Sequence, residues 1–329
     1  MRARVVTAVL ALTLTAGCGS SSMRPAVTVA PVDALPAGAQ EVTTVPATAT
    51  TLPPKGSADC GDPEASLRPG PQPAPGVMPP GSTMAAIAQR GRLIVGVDQD
   101  SYPFGSRNPI SGQLEGFDID LAREIARSIF GDPDRVELKV IDPTQRESEL
   151  VSGHVDLVVR TYSITCERKK IVDFSTVYFY ANQKILAVKG SGIDSAASLS
   201  GKRVCSVFGT TSLSRLSALN PRPILFGVKS WTDCLVMLQQ GQVDAISTDD
   251  AVLAGLQGQD PNLAIVGDSM AVEPYGVGIQ REQSDLVRFV NGVLERMRVD
   301  GTWERLYDRW LHNLGPSPGP PPPKYQDRP

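Results

Sequence analysis

Polar side chains able to bind a charged small molecule follow four predicted strands, at the points where those strands end. The four segments are 98–104, 160–168, 208–212 and 248–250. In open α/β sheets, ligands bind beyond the carboxyl ends of the strands. The side chains in these segments are mostly carboxylates, hydroxyls and guanidiniums. This combination complements a zwitterion, which carries both a carboxylate and an ammonium group.

The pattern of apolar residues that positions these segments predicts two similar α/β lobes. Strands at 92–97, 136–141 and 155–159 alternate with a helix capped by Asp118 and a helix at 146–152, which is typical of a parallel sheet flanked by helices. Further strands at 203–207 and 243–247 accompany helices at 211–219 and 231–240. The phrases LVSGHVDLVV (150–159) and LQQGQVDAIS (238–247) share one order of helix end, glycine and strand. The same αβ unit is therefore expected once in each half.

The first 17 residues have the features of a secretory signal peptide. Arg2 and Arg4 precede an apolar stretch that is too short to span a bilayer and that ends in small residues. The sequence TAGC at 15–18 resembles the lipobox of bacterial lipoproteins, in which the cysteine is acylated. We therefore expect a lipid anchor on Cys18, at the extracytoplasmic face of the cell membrane. A plain secreted protein with an unmodified Cys18 is the alternative.

Composition divides the remainder of the chain. Residues 18–82 are rich in Pro, Ala, Thr, Ser and Gly, a composition that buries too little surface to fold, so we expect a disordered tether there. A second disordered segment is expected at 315–329. The chain has 329 residues, 41% of them hydrophobic and 20% charged, with a net charge of −3. This composition is compatible with a sizeable core between 83 and 314 and argues against a nucleic-acid partner.

Four cysteines remain if Cys18 is acylated, namely Cys60, Cys166, Cys205 and Cys234. An even number in an oxidising compartment favours disulfides, and three pairings can be drawn. We favour Cys205 with Cys234, because each lies in a well-formed element of one half of the chain, and this choice leaves Cys60 with Cys166. No metal site is predicted, since the chain has no CxxC motif and both histidines lie far from any cysteine cluster. No cofactor is expected.

A series of motifs between Leu93 and Leu311 resembles the extracellular solute-binding proteins of the polar amino-acid class, family 3, and most of all glutamate- and glutamine-binding lipoproteins of actinobacteria. In order, the motifs include LIVGV, GFDIDLAREIA, ELVSGHVDLVV, SITCERKKIVDFS, FGTTS, GQVDAISTD and DGTWERLYDRW. Each motif alone is weak evidence, whereas all of them in this order are strong evidence. The resemblance implies a monomeric receptor of an ABC importer that needs no cofactor and is not an enzyme.

The same resemblance implies an α/β fold of the two-lobed, type II periplasmic-binding-protein kind. Each lobe would contain a mostly parallel sheet flanked by helices. We expect lobe 1 at 83–182 and 274–314 and lobe 2 at 183–273, joined by hinge crossings near 178–187 and 270–276. The lobes would close over an amino acid in the cleft.

By resemblance, Arg168 is the arginine that holds the α-carboxylate of the ligand, and a guanidinium does present a planar fork that suits a carboxylate. Thr210 and Thr211 match positions where backbone amides at a helix start and a hydroxyl assist. Two ordinary structural roles remain open. Arg168 could instead form a surface ion pair with Glu167 or Asp173, and the Gly-Thr-Thr-Ser stretch could be a simple helix N-cap.

The ligand ammonium is assigned by resemblance to the carboxylate of Asp249, together with the carbonyl of Thr161 and the hydroxyl of Ser163. Because Asp249 is followed by Asp250, a solvated turn or a helix cap is an equally ordinary interpretation of this pair.

Side-chain specificity is less clearly indicated. Arg146 matches an arginine that receptors for acidic amino acids place against the distal carboxylate, whereas Asp98 matches an aspartate of glutamine receptors. An unshielded Asp98 would repel a distal carboxylate unless a cation such as Arg160 or Arg107 compensates. We therefore expect tolerance across Glu, Asp, Asn and Gln, with Tyr102 against the aliphatic part of the ligand.

Two other functions remain open from the sequence. A receptor of this kind could signal through a membrane-bound partner instead of feeding a permease, and the chain contains nothing that distinguishes these partners. An enzyme on the same scaffold, such as a dehydratase, would need an acid or base with a tuned pKa in the cleft. Apart from Cys166, the cleft segments contain no histidine or cysteine, so catalysis is the weaker alternative.

Overall fold

A computed structural model describes residues 34–43 and 60–327 of the chain. The helices are Thr83–Arg90 (α1), Phe117–Phe130 (α2), Arg146–Val151 (α3), Cys166–Lys169 (α4), Thr211–Ser217 (α5), Trp231–Gln239 (α6), Asp250–Gln257 (α7), Ser284–Val299 (α8) and Thr302–Trp310 (α9). The strands are Gln40–Glu41 (β1), Leu93–Val97 (β2), Asp100–Ser101 (β3), Gly105–Arg107 (β4), Leu114–Glu115 (β5), Val136–Val140 (β6), Leu157–Val158 (β7), Val172–Phe174 (β8), Phe179–Val188 (β9), Arg203–Val207 (β10), Ile224–Val228 (β11), Ala245–Asp249 (β12), Leu263–Tyr275 (β13) and Gly278–Gln280 (β14). No helix in the described part of the chain is long and apolar enough to cross a membrane.

The first lobe is built on a sheet with the strand order β6-β2-β7-β14-β8. Strand β2 is parallel to β6 and β7, whereas β14 runs antiparallel to β7 and β8. Helix α2 lies against this sheet with an apolar face at three- and four-residue spacing, which buries Leu121, Ile125 and Ile129. The segment after β2 folds into a small sheet of order β3-β4-β5.

The start of α2 differs from the prediction that Asp118 caps it. The helix begins one residue after Gly116, which occupies the cap position without a side-chain hydrogen bond. A Cβ atom at Gly116 would lie only 2.2 Å from the carbonyl oxygen of Phe104, so a larger residue does not fit there. Asp118 lies inside the first turn and its carboxylate is buried.

The second lobe is built on a sheet with the order β1-β11-β10-β12-β9-β13. The αβ repeats form its parallel centre, β11-β10-β12, and β9 and β13 add antiparallel strands. The predicted two-lobed α/β fold is thus confirmed, and in each sheet most strands run in one direction while a few antiparallel strands make the sheet mixed. The strands that run opposite to those of the αβ units are β14 in the first sheet and β1 and β9 in the second.

Strands β9 and β13 connect the two sheets. They pair from Phe179 opposite Tyr275 to Val188 opposite Leu263, with a register shift between Val266 and Ala271. At the other end, they lead directly to β8 and β14 of the first sheet. These connections lie where the hinge crossings at 178–187 and 270–276 are predicted, whereas the lobe boundaries at 83–182, 183–273 and 274–314 stay a prediction.

Parts of the predicted tether (18–82) and tail (315–329) are packed against the lobes, so the prediction of disorder is wrong for 34–43, which adds β1 to the second sheet, and for 60–82 and 315–327, which lie against the first lobe. The Ser66 hydroxyl donates to the carbonyl of Phe174 at 2.7 Å, and Leu67 is buried in the core. Tyr325 of the tail forms a parallel bridge with Ser66. Composition does not reveal this packing, because the segments around Ser66 and Tyr325 are joined mainly by hydrogen bonds between their backbones and contain few apolar residues. Residues 1–33, including the predicted signal peptide and Cys18, lie outside the described residues, as do 44–59.

Both favoured disulfides are present. Cys205 on β10 is joined to Cys234 on α6, inside the second lobe. Cys60 is joined to Cys166, the first residue of α4, and this bond attaches the segment after residue 59 to the first lobe.

Candidate functional site

A small cavity lies between the lobes. Its lining combines cationic, hydroxyl and carboxylate groups from both lobes with two apolar side chains: Arg146, Arg160, Thr161, Ser163, Arg168, Thr210, Thr211, Ser212, Trp231, Thr248, Asp249 and Val252. Eight of these residues are among those predicted from the sequence. The carboxyl ends of strands from both sheets therefore meet in one place, as the strand-end rule requires.

Arg168 points into this cavity from α4, whose N-cap Thr165 accepts a hydrogen bond from the Arg168 backbone N–H. Its guanidinium donates to the carbonyl oxygens of Ser163 at 2.6 Å and Gly209 at 3.0 Å. It also lies 3.5 Å from the carboxylate of Glu147. The alternative of a surface ion pair with Glu167 is not what the structure shows, since Glu167 pairs with Lys170.

Arg146, the first residue of α3, is buried beside Arg168. Its guanidinium donates to the carbonyl of Pro143 at 3.0 Å and to that of Gly209 at 2.7 Å. Burial, followed by the neighbouring charge of Arg168, lowers the pKa of Arg146 to about 9. Two guanidiniums held together without a full complement of carboxylates attract an anion.

Asp98 does not line the cavity, although it was predicted as a site residue. It is buried behind Arg160, and its Oδ1 lies 3.0 Å from Arg160 Nη2. The Ser101 hydroxyl and the Gln99 backbone N–H also donate to this carboxylate. Burial acts to raise the pKa of Asp98, but the charge of Arg160 and these hydrogen bonds outweigh it and lower the pKa. The compensating cation considered from the sequence is thus Arg160, which faces the cavity in place of Asp98.

The Gly-Thr-Thr-Ser stretch both caps a helix and lines the cavity. Thr210 is the N-cap of α5, and its hydroxyl oxygen accepts from the backbone N–H of Leu213. Gly209 has φ of +74°, and a Cβ atom there would lie 3.0 Å from Thr144 of the first lobe. This position therefore requires glycine both for its backbone conformation and for the close approach of the lobes.

Asp249, the last residue of β12, supplies a carboxylate from the second lobe and is 6% exposed. Its Oδ2 accepts a hydrogen bond from the Tyr275 hydroxyl, whereas its buried Oδ1 has no partner among the described residues. Burial, followed by the charge of Glu273, raises the pKa of Asp249 to about 8. Asp249 makes no side-chain cap bond to α7, so the helix-cap interpretation does not explain it. An unpaired buried carboxylate oxygen in a cavity is suited to receive a cationic donor.

Thr161 and Ser163 line the cavity from the segment after β7. Thr161 has φ of +39°, and its backbone N–H donates to Asp118 Oδ2 at 2.8 Å. Ser163 forms an antiparallel bridge with Tyr275. The remaining predicted residue, Tyr102, is 41% exposed and outside the cavity. Its backbone carbonyl instead contacts the second lobe, 1.9 Å from the point where a Cβ at Gly255 would lie.

Sequence reasoning missed four lining residues, Ser212, Thr248, Trp231 and Val252. Ser212 and Thr248 lie inside the strand-end segments that were singled out. Trp231 follows β11, a strand that was not predicted, so the same rule would have found it had that strand been recognised. Val252 is a helical apolar residue with no distinguishing signal.

Comparison with known proteins decides the family. The family model for bacterial extracellular solute-binding proteins, family 3, matches residues 93–313. The chain belongs to this family. Proteins of family 3 are receptors for solutes outside the cytoplasm, so the chain is an extracytoplasmic receptor rather than an enzyme.

Relatives within family 3 include receptors for several amino acids. The chain is 38% identical over 230 residues to the "ABC transporter glutamine-binding protein GlnH" of Bacillus subtilis (strain 168), covering 70% of this chain and 84% of that protein. It is 30% identical to the "Glutamate-binding protein GluB" of Corynebacterium glutamicum, covering 71% and 82%.

Solved structures agree with the fold. "An ancestral arginine-binding protein bound to glutamine" superposes with a TM-score of 0.63 at 36% identity, covering 68% of this chain and 98% of that one. The receptor for L-cysteine of Neisseria gonorrhoeae superposes with a TM-score of 0.69 at 28% identity, covering 72% and 98%.

Proposed function

We propose that this receptor binds a polar amino acid, namely glutamate, aspartate, asparagine or glutamine, in the cavity between its lobes and delivers it to an ABC importer. The observation that carries the proposal is that Arg168 and Asp249 line one cavity from opposite lobes, and that the buried Oδ1 of Asp249 has no partner among the described residues. A zwitterion presents its carboxylate to the guanidinium and its ammonium to the carboxylate. The glutamine- and glutamate-binding relatives support this ligand class.

In this proposal, Arg168 holds the α-carboxylate with Thr210 and Thr211, and Asp249 receives the ammonium with Thr161 and Ser163. A ligand that contacts both lobes binds the closed form more tightly than the open form, and this difference drives closure. Charge-assisted hydrogen bonds contribute about 1.5–3 kcal/mol each. A few of them, less the cost of ordering, reach the ~8 kcal/mol of micromolar affinity.

The distal group of the ligand would lie near Arg146 and Arg160. The ion pair with Arg160 removes the repulsion that an unshielded Asp98 would exert on a distal carboxylate. A guanidinium donates equally to a carboxylate and to an amide oxygen. We therefore propose tolerance of both acids and amides.

The lipid anchor on Cys18 and a permease partner in the membrane complete the proposal. A thermal-shift panel of the twenty amino acids tests its ligand class. We expect glutamate, aspartate, asparagine and glutamine to raise the midpoint of unfolding, and leucine and lysine to leave it unchanged. The proposal fails if none of the four amino acids stabilises the protein.

A further inference from the structure

Two buried tyrosines lie side by side where the chain passes between the lobes. Tyr178 immediately precedes β9, and Tyr275 is the last residue of β13. The backbone N–H of Tyr178 donates to the carbonyl of Tyr275 at 2.9 Å, and the ring centres are 6.2 Å apart. Their hydroxyls, however, donate to two different carboxylates.

The Tyr178 hydroxyl donates to Asp118 Oδ1 at 2.8 Å, and Asp118 Oδ2 accepts from the backbone N–H of Thr161 at 2.8 Å. Thr161 has φ of +39°, and left-handed backbone is unfavourable for a β-branched residue. The hydrogen bond that the Thr161 backbone N–H donates to Asp118 stabilises this conformation, which sets the direction of the Thr161 carbonyl at the cavity.

The Tyr275 hydroxyl donates to Asp249 Oδ2 and leaves Oδ1 of the same carboxylate without a partner among the described residues. The backbone of Tyr275 also pairs with Ser163, which lines the cavity from the first lobe. One residue of the crossing segment therefore contacts site residues of both lobes.

Neither tyrosine lines the cavity, so each can affect a bound molecule only through a neighbour. Resting on the proposed function, we propose that Tyr178 and Tyr275 are positioning residues for the ligand ammonium. Tyr178 acts through Asp118 on the Thr161 carbonyl in the first lobe, and Tyr275 acts directly on Asp249 in the second.

The charged groups around Asp249 determine how loss of the Tyr275 hydroxyl would change the pKa of Asp249. Burial and the charges of Glu273 and Asp250 raise the pKa of Asp249, whereas the Tyr275 hydrogen bond and the Arg215 charge oppose the rise. Removing the Tyr275 hydroxyl therefore raises the pKa of Asp249 beyond its value of about 8 and depletes the ionised form that attracts an ammonium.

The pKa of Asp118 is shifted by the same kinds of interaction. Burial raises its pKa to about 7, the hydrogen bonds from Thr161 and Tyr178 oppose the rise, and the more distant charges of Asp98 and Arg160 act in opposite directions. Loss of the Tyr178 hydroxyl would weaken the hydrogen bond between the Thr161 backbone N–H and the Asp118 carboxylate.

Calorimetric titration of the full chain with L-glutamine and with L-glutamate tests the proposal on Tyr275→Phe, Tyr178→Phe and the control Tyr180→Phe. Tyr180 lies on the same crossing strand, but its hydroxyl donates to Glu64 rather than to a site acid. We expect Tyr275→Phe to bind about tenfold more weakly near pH 6.5, with a smaller difference near pH 8.5 as Asp249 ionises. We expect Tyr178→Phe to bind about threefold more weakly and Tyr180→Phe to match the parent.

A purely structural role for Tyr275 would lower affinity equally at every pH, and that result would overturn the proposal. Equal losses in Tyr180→Phe and Tyr275→Phe would also overturn it. If Tyr275→Phe fails to fold, the comparison of Tyr178→Phe with Tyr180→Phe decides the matter through Asp118. Absence of binding by the parent protein contradicts the proposed function itself, whereas binding by the parent with unchanged variants contradicts only the role of the tyrosines.

Discussion

Arg146 and Arg168 donate to the same acceptor, the carbonyl oxygen of Gly209, although both arginines belong to the first lobe and Gly209 to the second. Their guanidinium carbons lie 4.4 and 4.8 Å from the centre of the Tyr162 ring. The ring, the shared carbonyl and Glu147 hold two like charges close together. Such an arrangement favours an anionic group on the ligand.

Replacing Arg168 by alanine should abolish amino-acid binding without unfolding the protein, because Arg168 is the guanidinium proposed for the α-carboxylate, whereas Arg146 and Arg160 are proposed to lie near the distal group. We expect affinity to fall about a hundredfold or more, corresponding to the loss of bidentate, charge-assisted bonds. Calorimetry on Arg168→Ala measures this loss. Arg127→Ala is a matched control, since Arg127 is half exposed and pairs with Glu124 on its own helix, away from the cavity. Unchanged affinity in Arg168→Ala would refute the site assignment.

The buried pair of Asp98 and Arg160 should behave as a unit in folding. Arg160→Ala leaves the Asp98 carboxylate buried without its cation, at a cost of about 3–5 kcal/mol in the free energy of unfolding. Removing both charges, with Asp98→Asn and Arg160→Ala together, should cost less than the sum of the single changes. Urea titration of the four proteins provides this comparison. Strict additivity would show that the two side chains do not depend on each other.

Stability without ligand should decrease as the pH rises, in part because of Asp249. Its pKa is raised from 3.8 to about 8 on folding, so the folded state retains a proton that the unfolded state releases above about pH 4. The stabilisation by this protonated form is complete below the unfolded pKa and is lost as the pH approaches 8. Asp249→Asn should flatten the slope of unfolding free energy between these values. The same slope in the variant would show that Asp249 is ionised throughout.

The two disulfides should contribute unequally to stability. Cys60–Cys166 spans 106 residues and Cys205–Cys234 spans 29. In the chain-entropy description, the longer loop constrains the unfolded state more, by about 1 kcal/mol. Denaturant unfolding of two variants, each with one pair replaced by alanines, measures the difference. A larger loss from the pair at 205 and 234 would show that core packing around that bond outweighs loop length.

Several features of the site followed from local patterns. Apolar runs of strand length and the repeated phrase at 150–159 and 238–247 predicted two α/β lobes, because helix and strand periods are set by the backbone. The polar residues after those runs were predicted to line a ligand site because ligands bind beyond the carboxyl ends of the strands, and the resemblance to two-lobed receptors assigned Arg168 and Asp249 to one ligand. Eight predicted residues line the cavity, and their roles in binding stay predictions.

Other features depend on contacts between distant parts of the chain, which local patterns do not encode. Asp98 and Arg160 were both predicted to line the cavity. Pairing of β2 with β7 brings the two side chains into an ion pair, and within this pair Arg160 rather than Asp98 lines the cavity. Likewise, Ser66 and Tyr325 lie in segments whose composition predicts disorder, yet they pair with each other. The amino-acid order thus determined the helices and strands and the polar groups at their ends. Tertiary structure determined the direction and the charge of each polar group, because burial and pairing depend on residues that are far away in the chain.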